Sequence, residues 1–298
     1  MSDRAANEKL ATKLLAEWRD GIIREFRGND VTDMVHSFHC MAHVLLGFHQ
    51  YSSKDIKIFE KGLTQDHGPL GRDKLPMFKF WRSTEAVVER VVRTTSDTFG
   101  PVGDHLCLRD SLEAHCKSTG TKSTIGNYKD NRFNALFQTA AEVFVHKKYF
   151  LQVLHSVEKP NKKLQSVKAD LECPLVGILL QSFGLVYLKL TGPYWNMVTS
   201  GEIPYLKLYP YIQDLSTYLK KCSEDPAHIL IVDGQWMTLD TFGFTNVSHK
   251  EMLKELYTVP EDHRDVLFTA IKIICNAMSN TVNKQLRDFL EGGKLSTN

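Results

Sequence analysis

The chemically densest stretch of the chain is His36-Ser37-Phe38-His39-Cys40-Met41-Ala42-His43, with three histidines and a cysteine. Apolar residues recur at Val31, Met34, Val35, Phe38, Ala42, Leu45 and Leu46, the spacing of one side of an α-helix. At about 100° per residue this pattern leaves His36, Cys40 and His43 on the opposite side, one turn apart, with His39 between the faces. Imidazole and thiolate at that spacing are soft ligands of the kind zinc takes. A structural zinc site also wants a fourth ligand, usually from a second Cys or His pair at fixed spacing, and none lies nearby. The sequence therefore favours a second packing face for His36, Cys40 and His43, and no metal or cofactor is expected.

Other chemistry is sparse. There is no Walker A loop, GxGxxG, GxSxG or HExxH, which removes the commonest nucleotide-binding and hydrolytic signatures. Single acids such as Asp3, Asp104 and Asp233 could each ligate magnesium, but a two-metal site needs several acids converging. The net charge of +2 over 298 residues gives no strong overall field, so any affinity for an anionic partner has to be local. The densest basic region gathers Lys147, Lys148, Lys159, Lys162, Lys163 and Lys168.

Three segments, in order, resemble hAT-type DNA transposases: Ser2-Asp3-Arg4-Ala5-Ala6-Asn7, Cys40-Met41-Ala42-His43, and Asn131-Arg132-Phe133-Asn134. In that family an Asp followed by small residues and an Asn is the second acid of an RNase H-like DDE site. A CxxH follows on a helix, and an Arg-Trp-Asn step comes later, inside an all-α insertion. Thr191-Gly192-Pro193-Tyr194-Trp195 and Leu290-Glu291-Gly292-Gly293-Lys294 are similar to a group of transposon-derived animal proteins, a likeness that runs over nearly the whole chain. The resemblance implies a mainly α fold like that insertion, with Asp3 as a vestigial catalytic candidate and DNA as the candidate partner.

Nucleic-acid contact would fall to Arg132, Phe133, Lys147, Lys148, Lys162 and Lys163. Phe133 stands where the family has a tryptophan that can stack on a flipped base, and its ring still offers a π-face. Only two residues precede Asp3, so strands carrying a first acid are not expected in this chain, and no third acid is assigned, although Glu291 lies near the end. Without a placed pair of carboxylates, strand cleavage by this chain alone is not expected. The rival expectation is a helical protein–protein interaction module in which the CxxH helix and the lysines do ordinary packing and solvation.

The elements that must position these residues read as helices. Leu10, Leu14, Leu15, Trp18, Ile22, Ile23 and Phe26 predict a helix over residues 3–28, capped by Ser2 or Asp3 and forming an αα-hairpin with the histidine-rich helix. The pattern weakens from Ser52, and Gly68, Pro69, Gly71 and Pro76 mark a loop. Further helices are expected over 81–96, 104–116, 134–157, 174–190, 206–222 and 261–290, with the apolar run from Pro174 to Leu190 as a buried core helix rather than a membrane span. One small β hairpin is expected over 228–240. The Ser-, Thr- and Gly-rich stretch 117–130 suggests a boundary between an N-terminal region, 1–120, and a C-terminal one, 121–298. From the scattered cysteines and the charged opening segment, a location in nucleus or cytoplasm is expected.

Overall fold

A computed structural model describes residues 6–27, 40–81, 84–102, 108–120, 125–129, 132–231, 254–293 and 295–296. Among these the fold is all α, without strands. The helices are α1 (Ala6–Arg27), α2 (His43–His67), α3 (Val87–Phe99), α4 (Leu108–Ser118), α5 (Ala135–His155), α6 (Lys162–Glu172), α7 (Pro174–Val186), α8 (Gly192–Thr199), α9 (Tyr209–Glu224), the short α10 (Ala227–Leu230) and α11 (Arg264–Gln285). Most follow the apolar periodicity within a few residues.

Helix α7 runs through a π-helical stretch, Tyr187–Thr191, directly into α8. Pro193 has no N–H to give the preceding turn and its ring would collide with the carbonyl four residues back, and a widened turn relieves both. The continuous helix Pro174–Thr199 is long and apolar enough to cross a membrane by length and composition, yet its most apolar window is wholly buried inside the protein. It is the spine of the core: α5 and α11 pack along it, α2 and α9 pack on α11, and α3 with α6 close the other end. Buried apolar side chains from residues on both sides of position 120, among them Phe48, Val91, Phe137, Phe183 and Ile274, belong to one continuous cluster.

Three expectations need correction. Helix α2 does not weaken at Ser52. It continues to His67, because Ser52, Ser53, Ile56, Glu60 and Leu63 all turn inward and two of the buried side chains happen to be hydroxyls. The hairpin over 228–240 does not begin as a strand: Ala227–Leu230 is a helical turn, started by Pro226 and by the Asp225 carboxylate accepting the Ala227 N–H at 3.0 Å, and residues 232–240 lie outside the described ones. Helix α1 forms as predicted, but its apolar stripe is not covered as an αα-hairpin requires, since Leu10, Leu14, Leu15, Trp18 and Phe26 are all exposed. Residues 28–39 lie outside the described ones, and with them His36 and the expected start of the histidine-rich helix.

The fold is pinned by a buried ionic lock. Arg90 of α3 is 1% exposed and Asp170 of α6 is 0% exposed. Arg90 Nη2 donates to Asp170 Oδ1 at 2.8 Å, Nε donates to Oδ2 at 3.2 Å, and Nη1 reaches Asp73 at 2.9 Å. The Arg72 backbone N–H adds a bond to Asp170 Oδ1 at 2.7 Å. The chain can approach this closely only because residue 71 is glycine: its φ of +54° is left-handed, and a Cβ there would lie 2.1 Å from Asp170 Oδ1. Removing one partner would strand a charge in the core, so Asp170→Asn is expected to lower the unfolding free energy by about 3–5 kcal/mol. Urea denaturation measures this, and a loss below about 1 kcal/mol, the scale of a surface pair, would show that the lock is dispensable.

Candidate nucleic-acid interface

Three segments far apart in sequence meet around the ring of Phe133. The His43 ring, at the start of α2, stands edge-on to it with centroids 5.1 Å apart. The Trp195 ring of α8 lies tilted beside it at 5.8 Å. Tyr194, fully buried, donates from its hydroxyl to the Met41 carbonyl at 2.9 Å, which ties α8 to the turn before α2. Asn134 sits in the left-handed region, φ 61°, and donates from Nδ2 to the Thr191 carbonyl in the π-helical stretch at 3.2 Å. Asparagine tolerates that conformation better than most residues. Three polar atoms at this junction, His43 Nδ1, Asn134 Oδ1 and Thr191 Oγ1, are buried without a hydrogen-bond partner.

Beside the junction opens a cleft in two halves that share Asn127 and Arg132. The aromatic half, about 500 Å³, is walled by Phe133 and Trp195 and lined further by Asn134, Gln138 and Glu142. The basic half, about 490 Å³, brings Lys129, Arg132 and Lys163 together with Tyr128 and Asp97. Ser96, in α3, sets the loop between them: its hydroxyl donates to the Gly126 carbonyl and accepts the Tyr128 N–H at 2.7 Å. Lys163, at the start of α6, donates to the Asp97 carbonyl at 3.1 Å. Glu142 is 7% exposed. Burial pushes its carboxyl up to about 7, against the opposing pull of hydrogen bonds from Gln138 Nε2 and the Gly126 N–H.

The structure keeps only part of the predicted set together. Arg132, Phe133 and Lys163 share the cleft, and Lys162 is exposed at the start of α6 without lining it. Lys147 points instead at α7, where its Nζ comes within 3.3 Å of the place a Cβ on Gly177 would occupy, and burial pulls its pKa down. Lys148 pairs with Glu255 at 3.3 Å and lies over the Tyr149 ring. Asp3 and His36 lie outside the described residues. Cys40 is half-buried, His43 is taken up by the Phe133 contact, and among the described residues no three His, Cys, Asp or Glu side chains gather as a metal site would require.

Sequence reasoning missed Lys129, Asn127 and Glu142. Lys129 belongs to a loop with no periodicity. Glu142 did carry a signal, an acid spaced by four from His146 and by eight from the core residue Phe150 on one face of α5. The larger depression along α2, about 720 Å³, is less suited to a ligand. Its His49–Glu89 pair, 2.9 Å, is already committed to the start of α3, because the second Glu89 oxygen accepts the Ala86 N–H at 3.0 Å.

No protein-family model, curated protein or solved structure matches this chain.

Glu60, in α2, resembles Glu142: burial raises its carboxyl to about 7 although it accepts the Val87 N–H at 2.7 Å. A carboxyl whose pKa is higher folded than unfolded holds its proton more tightly in the folded state. Each therefore contributes stability present below about pH 4.5 and lost as the pH climbs to about 7. Glu142→Gln should remove its share of that slope, on the order of 2–3 kcal/mol, leaving the variant more stable than the parent at about pH 8. Denaturation curves at about pH 5 and pH 8 measure it, and an unchanged slope would mean that the carboxyl is solvated.

Proposed function

We propose that this chain is a transposase-derived helical protein that binds nucleic acid through the two-part cleft without cutting it. The observation that carries the reading is the placement of three cations, Lys129, Arg132 and Lys163, beside an aromatic wall of Phe133 and Trp195. Cations that neutralise phosphates, next to π-faces on which bases stack, are the two parts of single-strand recognition. The resemblance to hAT-type transposases gains support from the meeting of Cys40-Met41-Ala42-His43, Arg132-Phe133-Asn134 and Thr191–Trp195 at one junction, which chance similarity in three separate segments does not require. Binding without cleavage fits the acids that line the cleft among the described residues: Asp97 and Glu142 stand in different halves, whereas two-metal cleavage takes carboxylates that share the ions.

One observation favours a second reading. The uncovered apolar stripe of α1 suits a helical interaction module, whose partner would cover Leu14, Trp18 and Phe26.

Fluorescence anisotropy with single- and double-stranded oligonucleotides at two salt concentrations separates the two. Binding through the cleft should weaken steeply with salt. Arg132→Ala with Lys163→Ala should reduce the slope of log affinity against log salt by about 0.7 for each single-strand phosphate that is no longer neutralised. Phe133→Ala should weaken single-strand binding by about 1–3 kcal/mol without changing that slope. No binding at low salt would sink the nucleic-acid reading and leave the interaction module.

A further inference from the structure

The aromatic half of the cleft has a polar floor that is uneven in chemistry. Asn134 is 5% exposed, its amide nitrogen is spent on the Thr191 carbonyl, and its Oδ1 has no partner. Glu142 receives one hydrogen bond from Gln138 Nε2 at 3.1 Å and one from the Gly126 N–H. An ionised carboxylate has about four lone-pair sites, so roughly half of its capacity is unfilled. Both free groups accept. Whatever settles against the wall that Phe133 and Trp195 form side by side, and satisfies this floor, must bring adjacent donors, and a flat ring suits that wall.

Among the nucleobases only guanine presents two neighbouring donors on one edge, N1–H and the N2 amino group, spaced to meet both oxygens of a carboxylate. Adenine and cytosine each set a single amino donor beside a ring acceptor, and thymine sets its one N–H between two carbonyls, so each would aim at least one acceptor at this floor. An unmatched buried polar pair is penalised far more than a missing apolar contact. The volume of about 500 Å³ lies in the range of small-molecule pockets, and the neighbouring half, with Lys129, Arg132 and Lys163, adjoins it through the shared Asn127 and Arg132.

We propose that the aromatic half of the cleft is a guanine site: the Glu142 carboxylate accepts N1–H and one N2 hydrogen, Asn134 Oδ1 accepts a further donor of the nucleotide, the base lies against the wall of Phe133 and Trp195, and the three cations hold the phosphate. The inference rests on the nucleic-acid reading and narrows it to guanine-bearing single strands.

The test uses the full chain at about pH 8, where the Glu142 carboxyl is ionised, and fluorescence anisotropy on thymidine tracts carrying one central guanine, adenine or cytosine, with guanosine monophosphate and adenosine monophosphate as competitors. The guanine tract should bind about tenfold tighter than the others, the scale of one bidentate contact, and guanosine monophosphate should displace it where adenosine monophosphate does not. Glu142→Gln replaces two acceptors with one acceptor and one donor, a pairing that matches adenine. It should abolish the guanine preference and raise the adenine tract relative to it, a swap that a merely structural role for Glu142 would not produce. Equal binding of all tracts by the parent chain overturns the guanine site and leaves the nucleic-acid reading standing. If no tract binds at low salt that reading fails, and guanosine monophosphate titrated alone, followed by Trp fluorescence, then decides the site. No saturable change with guanosine monophosphate overturns it.

Discussion

Burying Arg90 against Asp170 is the constraint on which the rest of this structure depends. A guanidinium 1% exposed and a carboxylate 0% exposed are tolerable only if nearly every donor and acceptor between them is used, which fixes α3, α6 and the turn at residues 71–74 to one another within hydrogen-bond tolerances. The lock acts at a distance on the cleft. Ser96 and Asp97 stand at the end of the same α3 that carries Arg90, and Lys163 stands at the start of the same α6 that carries Asp170. The basic half of the cleft is therefore the far end of a rigid pair of helices, and the spacing of its cations follows from a bond made in the core.

A second constraint shapes the aromatic half. Pro193 interrupts the regular hydrogen bonding of the longest core helix, and the π-helical stretch that results puts the Thr191 carbonyl within reach of Asn134. Asn134 in turn opens α5 from a left-handed backbone position, and Phe133 precedes it. A local irregularity in one buried helix thus sets where the aromatic ring on a separate helix start can lie. The Arg90 lock is almost fully paired, apart from the Arg72 Nε, whereas the junction at Phe133 leaves His43 Nδ1, Asn134 Oδ1 and Thr191 Oγ1 unpaired. Buried groups without partners cost stability, and of these three only Asn134 belongs to a residue that lines the cleft.

Much of the fold was legible because helices announce themselves by period: α3, α5, α7, α9 and α11 fall close to where the apolar spacing puts them. What was not legible is long-range. Lys147 and Lys148 are neighbours in sequence but about 100° apart around a helix, so one turns into α7 and the other out toward Glu255, and the run of lysines is not one surface. Lys129 joins Arg132 and Lys163 through the path of a loop, which no local pattern encodes. The pattern of α2 weakens from Ser52 in the sequence because buried hydroxyls break the apolar stripe, and the start of the expected hairpin yielded to a helical turn because Asp225 and Pro226 outweigh the β-branched residues that follow. Helix α1 shows the complementary limit: periodicity predicts the helix and its face, but not what covers the face.

The cleft unites charges of both signs for a physical reason. With a net charge of +2 the molecule exerts little pull on an anion from afar, so attraction has to come from the local concentration of Lys129, Arg132 and Lys163. Phosphate attraction alone carries no sequence information and would hold any polyanion. In the proposed reading a buried acid beside those cations adds the missing discrimination, since it opposes a ligand that brings only negative charge and favours one that brings hydrogen-bond donors. Glu142 can play that part because it is shielded from solvent yet lies outside the ionic lock, and the described groups that act on it, Gln138, Tyr187 and the Gly126 N–H, are neutral. In that reading the protein's stability near neutral pH and the selectivity proposed for its cleft draw on the same carboxyl.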